Sequence, residues 1–347
     1  MKRKKSLAIL TVFTALLIFS ACTENKTQKE NKKSENLDYS SIDGDKELSR
    51  INLLLEKNPK DVELLAQKAD ILFKLFRQEE GLPDISKAFR LDSSNLEVRR
   101  VHAGYMMGQL KVLAARDDYG FIIEKDPGNA EAYLGMARTY AVEGNHAKAF
   151  QFTDEALKRN MKFRDAYVLK GLMFRTEGKI DLAISSYQTA VEIDPDFYSG
   201  YVALGNLHEI KKSPLALDFY KTALQIDKKG IEALYGIAMF AQNSNNFDEA
   251  KANYRKILKI SPEYYTALYN QGYIKLVHEA DYDSATYFFL KTVELEPLYA
   301  DAWFNLGLSE QSRGKNREAI KAFKEVLKID PSNKKAEQEI NRILKMK

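Results

Sequence analysis

The chain has 347 residues, 45% of them hydrophobic, with a single cysteine and a formal net charge of +4. One thiol closes no intrachain disulfide and cannot supply the paired thiolates of a zinc or iron–sulfur site. The positive balance equals the contribution of Lys2, Arg3, Lys4 and Lys5; without those four the rest is formally neutral, so the charge carries no sign of nucleic-acid binding.

Residues 1–21 read as an export signal: the basic start, an apolar run from Leu7 to Phe19, then small Ser20 and Ala21. The run makes a helix of roughly 20 Å, short of the ~30 Å hydrocarbon core of a bilayer. The cysteine follows at once, as Cys22. Phe19-Ser20-Ala21-Cys22 resembles the lipobox of bacterial lipoproteins, with Phe19 where that family prefers Leu. The resemblance implies cleavage before Cys22 and acylation of its sulfur. The alternative is an ordinary signal cut after Ala21 with the thiol left free. Thr23, where an Asp would hold the protein at the inner membrane, implies by the same resemblance transfer to the outer membrane. From residue 22 to 46 the sequence is almost wholly polar and reads as a tether with a coil reach on the order of 25 Å.

Residues 47–61 fit a capping helix, with Ile51 and Leu54 at core positions and Pro59 closing it. A ladder of small residues follows: Ala115, Ala149, Ala183, Ala216, Ala250, Ala285 and Ala319, spaced by 34, 34, 33, 34, 35 and 34. A fixed period of this length predicts a solenoid of helix pairs. Eight segments align on it, 62–95, 96–129, 130–163, 164–197, 198–230, 231–264, 265–299 and 300–333. Their eighth positions are all Ala or Gly. Their twentieth are Gly81 and the seven alanines above. Small residues at two fixed points let paired helices approach closely, with large side chains such as Tyr187, Tyr220, Tyr254, Phe289 and Phe323 filling the grooves beside them. Gly144, Gly178 and Gly314 mark the turn between the two helices, and Pro127, Pro195, Pro262, Pro297 and Pro331 follow the second. Residues 334–347 fit a last amphipathic helix whose Ile340 and Leu344 cover the eighth segment.

Residues 62 to 333 resemble tetratricopeptide repeats, most closely in "DAWFNLGLSEQSRGKNREAIKAFKEVLKIDP" (301–331). The resemblance implies an all-α fold, an α-α superhelix of about eight helix-turn-helix repeats with capping helices, right-handed and with the first helices on the concave side. Met161 and Lys228 in place of proline, a deletion near Ser213 and an insertion near Asp281 depart from the pattern.

No catalytic constellation is visible. His102, His146, His208 and His278 are dispersed, no Gly-rich phosphate loop or G-x-S-x-G elbow occurs, and no cofactor or metal is expected. His208 stands where the repeat usually has an aromatic and reads as a core residue. In the family the groove residues lie on the first helix of each repeat. Here those positions are mainly charged in the first half, including Arg100, Arg138 and Arg175. They become aromatic and amide-bearing in the second half, at Asn206, Tyr235, Tyr269, Asn270, Tyr273, Phe304, Asn305 and Gln311. Rings with neighbouring amides suit a peptide ligand; the competing reading is packing between repeats. The family's clamp for a C-terminal carboxylate needs Lys where this chain has Tyr235 and Tyr269, so that mode is absent.

The sequence thus predicts a non-enzymatic adaptor in the bacterial cell envelope, held at the outer membrane through Cys22 on the periplasmic rather than the exterior side. Its partners are other envelope proteins or peptides. The alternative is a cell-surface lipoprotein that captures nutrients or carbohydrate.

Overall fold

A computed structural model describes residues 44–345. Those residues form eighteen helices and no strand. The chain divides into two units, one ending at Asp194 and the other starting at Pro195. The signal segment, Cys22 and most of the tether lie outside the described residues.

The first unit contains α1 (Gly44–Lys57), α2 (Val62–Lys74), α3 (Gln78–Leu91), α4 (Leu96–Gly108), α5 (Val112–Lys125), α6 (Ala130–Val142), α7 (His146–Arg159), α8 (Arg164–Thr176) and α9 (Ile180–Ile193). The second contains α10 (Tyr198–Ile210), α11 (Leu215–Ile226), α12 (Ile231–Asn243), α13 (Phe247–Ile260), α14 (Tyr265–Val277), α15 (Tyr282–Leu295), α16 (Ala300–Ser312), α17 (Asn316–Ile329) and α18 (Lys334–Lys345). In each unit the chain is a run of helix pairs, each pair packed together and against the next. The first helices begin at the first residues of the eight aligned segments. α1 starts at Gly44, inside the segment read as tether.

Local chemistry sets the helix ends. Asp61, Asn95, Asn129, Asn145, Asn246 and Asp281 cap their helices by accepting a hydrogen bond from a backbone N–H of the first turn. Between paired helices the chain turns through one left-handed residue. Gly144, Gly178 and Gly314 take it at φ near 75°, as their spacing predicts. The other five pairs place Phe76, Leu110, Lys212, Asn245 and Ala280 there, with φ between 51° and 59°. In seven of the eight turns the closing bond is the same with or without glycine, and at Ala280 it runs one residue further, from Asp281 N to Lys275 O at 2.9 Å. Asn145 N donates to Tyr140 O at 2.9 Å, and Lys111 N to Met106 O at 2.8 Å. Those bonds satisfy carbonyls that the helix end leaves open, which offsets the crowding of Cβ in that conformation.

The small positions hold the pairs together. Tyr220, fully buried on α11, lies so close to Gly205 of α10 and Gly236 of α12 that a Cβ at either glycine would stand 2.4 Å from its ring. Three helices thereby meet on one ring. Gly81 departs from the alanine ladder for a related reason: the Tyr105 hydroxyl, bonded to Ala69 O at 2.8 Å, occupies the space of a side chain there. At the C-terminal end α18 buries Ala336 and Ile343, with Ile340 half-buried, while Leu344 faces solvent. The expectation for Leu344 was wrong because residues 336, 340 and 343 share a helical face and 344 lies about 100° further round.

Candidate functional site

The residues expected to line a groove do occupy the first helices, and in both units they are largely engaged with one another. In the first unit the engagement is ionic. Arg100 on α4 reaches back to Asp70 on α2 at 3.0 Å and along its own helix to Glu97 at 2.6 Å. Its guanidinium is held above the ordinary arginine range: the Glu97 and Asp70 carboxylates together outweigh the burial, the largest single influence, which opposes the charge. Arg138 on α6 faces Asp165 on α8 at 3.6 Å. Arg175, in the last turn of α8, is half-buried and near Tyr187, whose phenol burial pushes up to about 12 against that positive charge.

In the second unit the engagement is aromatic and amide. Asn270 on α14 donates through Nδ2 to the Tyr235 hydroxyl of α12 at 3.1 Å. One repeat further, Asn305 on α16 donates to the Tyr269 hydroxyl of α14 at 2.9 Å. These are two copies of one contact, a tyrosine at the fifth position bonded to an asparagine at the sixth position of the next repeat. Burial pushes the Tyr269 phenol above its ordinary range, so it remains protonated at neutral pH. The rings are fixed as well: Tyr235 lies 6.0 Å from both Tyr254 and Tyr264, and Tyr269 lies 4.9 Å from Tyr299. Asn206 accepts from the Tyr220 hydroxyl at 2.7 Å, and Gln311 accepts from Arg342 at 3.0 Å. Tyr273 and Phe304 are half-buried; the first meets His278 edge-on at 6.1 Å and the second tilts against Phe323 at 5.4 Å.

The amides of Asn270 and Asn305 are thus committed between repeats, while Asn206, which is exposed, and Gln311 each accept one bond and keep the rest of the amide toward solvent. What the row offers outward besides is the exposed part of four half-buried rings, Tyr235, Tyr269, Tyr273 and Phe304, each held in place by neighbours. The equivalent offering of the first unit is charged: Arg100 and Arg138 are paired with carboxylates, and Arg175 has no ion pair among the described residues.

One side-chain cluster escaped the sequence reading. Asp118 on α5, 2% exposed, accepts from Arg99 at 2.8 Å and is paired with His102 Nδ1 at 2.6 Å. The Arg99 guanidinium lies 3.9 Å from the centre of the Phe121 ring, and His102 stacks on Phe89 at 4.1 Å. The signal was an acid three residues after the small residue of the ladder, a position that is acidic elsewhere only at Asp84 of the first segment and holds Phe, Ser, Asn or Ala in the others. His208, expected in the core, is 9% exposed and stacks on Phe219 at 5.0 Å with neither ring nitrogen hydrogen-bonded. Burial, and then the Lys211 charge, pull its pKa down. Among the described residues no three His, Cys, Asp or Glu side chains gather as a metal ion requires, and no helix is long and apolar enough to cross a membrane.

Helix pairs of 34 residues, joined by small residues at two fixed positions, define a repeat-solenoid protein. Four segments, 107–162, 171–211, 231–264 and 300–333, match the tetratricopeptide repeat family, and the chain belongs to it. It is similar to the human protein O-mannosyl-transferase TMTC1, 29% identical over 171 residues that cover 47% of this chain and 19% of that protein. The chain spans about a fifth of the length of the first curated relatives it matches. Among solved structures it resembles the Cut9–Hcn1 hetero-tetramer of the APC/C, with TM-score 0.57 and 23% identity over 91% of this chain and 61% of that one. The C-terminal part of a TPR repeat-containing protein from Cytophaga hutchinsonii aligns with TM-score 0.57 and 18% identity, covering 70% of this chain and 99% of that one. At these identities the structural likeness concerns the fold.

Proposed function

We propose that the chain is a non-enzymatic adaptor that binds peptide segments or partner domains in the cell envelope, anchored through Cys22. The repeat family supports a protein–protein interaction scaffold. The observation that carries the reading is the row of half-buried rings, Tyr235, Tyr269, Tyr273 and Phe304, on successive first helices of the second unit. Rings held by neighbouring side chains lose little freedom when a partner covers them, so their area is available for affinity. The similarity to TMTC1 covers 19% of that protein, and its transferase activity is no part of this reading. Anchoring raises the encounter rate with membrane-bound partners by confining the adaptor beside them.

The test compares proteins co-purifying with the wild type and with a Tyr273→Ala/Phe304→Ala variant from gently solubilised membranes. Circular dichroism verifies that the variant keeps its helices. A small set of partners that disappears with the two rings supports the groove; identical inventories reject it. Cys22→Ser, correctly exported, should keep its helices and lose membrane association.

A further inference from the structure

A second concavity is lined by two second helices and the first helix between them. α13, α14 and α15 enclose an open cleft of about 480 Å³. Along one wall Lys251, Arg255 and Lys259 follow one another at every fourth residue of α13, so they share a helical face and span about 12 Å. Lys275 of α14 completes the charge. Leu258 and Phe288 supply apolar wall. Gln271, only 4% exposed, also lines the cleft, and its side chain makes no hydrogen bond among the described residues.

The charges are not equivalent. Lys251 is paired with Asp248 at 3.0 Å and with Glu279, and Lys275 with Glu279 at 2.7 Å and Asp281 at 3.0 Å. Arg255 and Lys259 are exposed and form no ion pair among the described residues. One end of the cleft is therefore neutralised by the protein's own carboxylates, while the other keeps two uncompensated cations about 6 Å apart along the helix. In an extended peptide, side chains two residues apart lie on one face at about 6.6 Å, which matches that step.

We propose that this cleft binds an extended acidic peptide segment of a partner protein, with carboxylates at alternate positions on Arg255 and Lys259 and a backbone amide on the Gln271 side chain. The Gln271 amide makes no hydrogen bond within the described residues, and a peptide backbone supplies both a donor and an acceptor for it. A cleft between three helices admits a single chain more readily than a flat lipid surface. Asp248, Glu279 and Asp281 repel a continuous polyanion such as a nucleic-acid strand, whereas a peptide can place its charges at the open end only. The two open cations, Arg255 and Lys259, lie on the second helix α13, and the site shares the first helix α14 with the proposed groove but none of its four rings.

The probe is a dye-labelled nine-residue peptide with glutamate at every second position and valine between, titrated against the full chain by fluorescence anisotropy. Arg255→Ala/Lys259→Ala should weaken binding by about tenfold or more with unchanged circular dichroism, because both side chains are exposed. Tyr273→Ala/Phe304→Ala should leave the affinity unchanged. Equal binding by the double-alanine variant, equal binding of a peptide whose glutamates are contiguous, or loss of binding in the Tyr273/Phe304 variant each overturns the proposal. So does tighter binding of phosphatidylcholine vesicles containing phosphatidylglycerol, or of oligothymidine, than of the peptide. A wild-type chain that leaves the peptide free overturns it as well.

Discussion

The two units repeat the same helix pair and hold their helices together by different chemistry, within pairs as well as between them. Up to Asp194 the contacts between helices are rich in ions and rings: Asp118 with Arg99 and His102, Arg100 with Asp70, Arg116 over Tyr140 at 4.1 Å, and Arg159 over Tyr133 at 3.6 Å. From Pro195 onward, rings meet rings and amides, as in Tyr235 with Asn270 and Tyr269 with Asn305. Small residues and aromatic wedges set the spacing between helices in both, so the side chains at the seam are free to vary. The ionic seam spends its exposed charge on itself, and the aromatic seam leaves ring surface over. This difference makes the second unit the better candidate for contact with a partner.

The largest effect should come from removing the anion at the centre of the first seam. Asp118→Ala leaves the Arg99 guanidinium, 16% exposed, beside a stacked His102 with no carboxylate between them. Loss of one partner of a mostly buried pair costs about 3 kcal/mol. Hydrogen exchange should show the loss in α4 and α5, with the second unit protected as before. A loss below about 1 kcal/mol would mean that ring stacking, and not the ion pair, holds this seam.

The corresponding cut in the second unit is smaller. Asn305→Ala and Tyr269→Phe each remove one neutral hydrogen bond between repeats, and each should cost about 1 kcal/mol in denaturant unfolding. Because both changes delete the same bond, the double variant should lose less than the sum of the two. Full additivity would show that the hydroxyl and the amide act separately. Raising the ionic strength toward about 1 M, where the screening length is about 3 Å, should loosen the exposed ion pairs of the first unit and leave the Tyr–Asn contacts unchanged.

A third change should act alike on both units, because it concerns what they share. Leu110 in the first and Lys212 in the second hold the left-handed turn position that Gly144, Gly178 and Gly314 hold elsewhere, and both are exposed. Leu110→Gly and Lys212→Gly should each raise stability by about 0.5–1 kcal/mol, since glycine adopts this conformation without crowding Cβ. A loss in either would show that the side chain does more at the turn than its exposure suggests.

The same positions show where the sequence was legible. The ladder from Ala115 to Ala319 gave away the period, and with it the start of each helix pair, because close approach of helices tolerates few side chains. Turns were legible where glycine marked them. They were silent at Phe76, Leu110, Lys212 and Ala280, where the bonds closing the turn impose the conformation on residues that do not favour it, and went unread at Asn245, a residue type that tolerates it. Tyr235, Tyr269, Asn270 and Asn305 were visible as a cluster, yet their bonds join residues 35 and 36 apart. Only the register between successive repeats brings such residues together, and residue types alone could not separate packing from binding. The basic cleft needed three helices in place, although Lys251, Arg255 and Lys259 stood at helical spacing throughout.

His208 offers the finest probe of the second unit. Both ring nitrogens are buried without hydrogen bonds, and burial together with Lys211 holds its folded pKa below the ordinary value near 6.5. The neutral ring is therefore favoured in the folded chain, and the unfolded chain takes up the proton first. Stability from this residue is fully present above about pH 7 and is lost as the pH falls through about 6.5 toward the lower folded value. His208→Phe puts an aromatic ring beside Phe219 and removes the titration, so between about pH 7.5 and 5 the variant should have a flatter stability profile than the wild type. Parallel profiles would place the proton-sensitive group elsewhere and show that the imidazole finds a partner when charged. A flatter profile confined, by hydrogen exchange, to α10 and α11 would assign the slope to this ring and leave the Tyr–Asn seams beyond it as contacts insensitive to pH in that range.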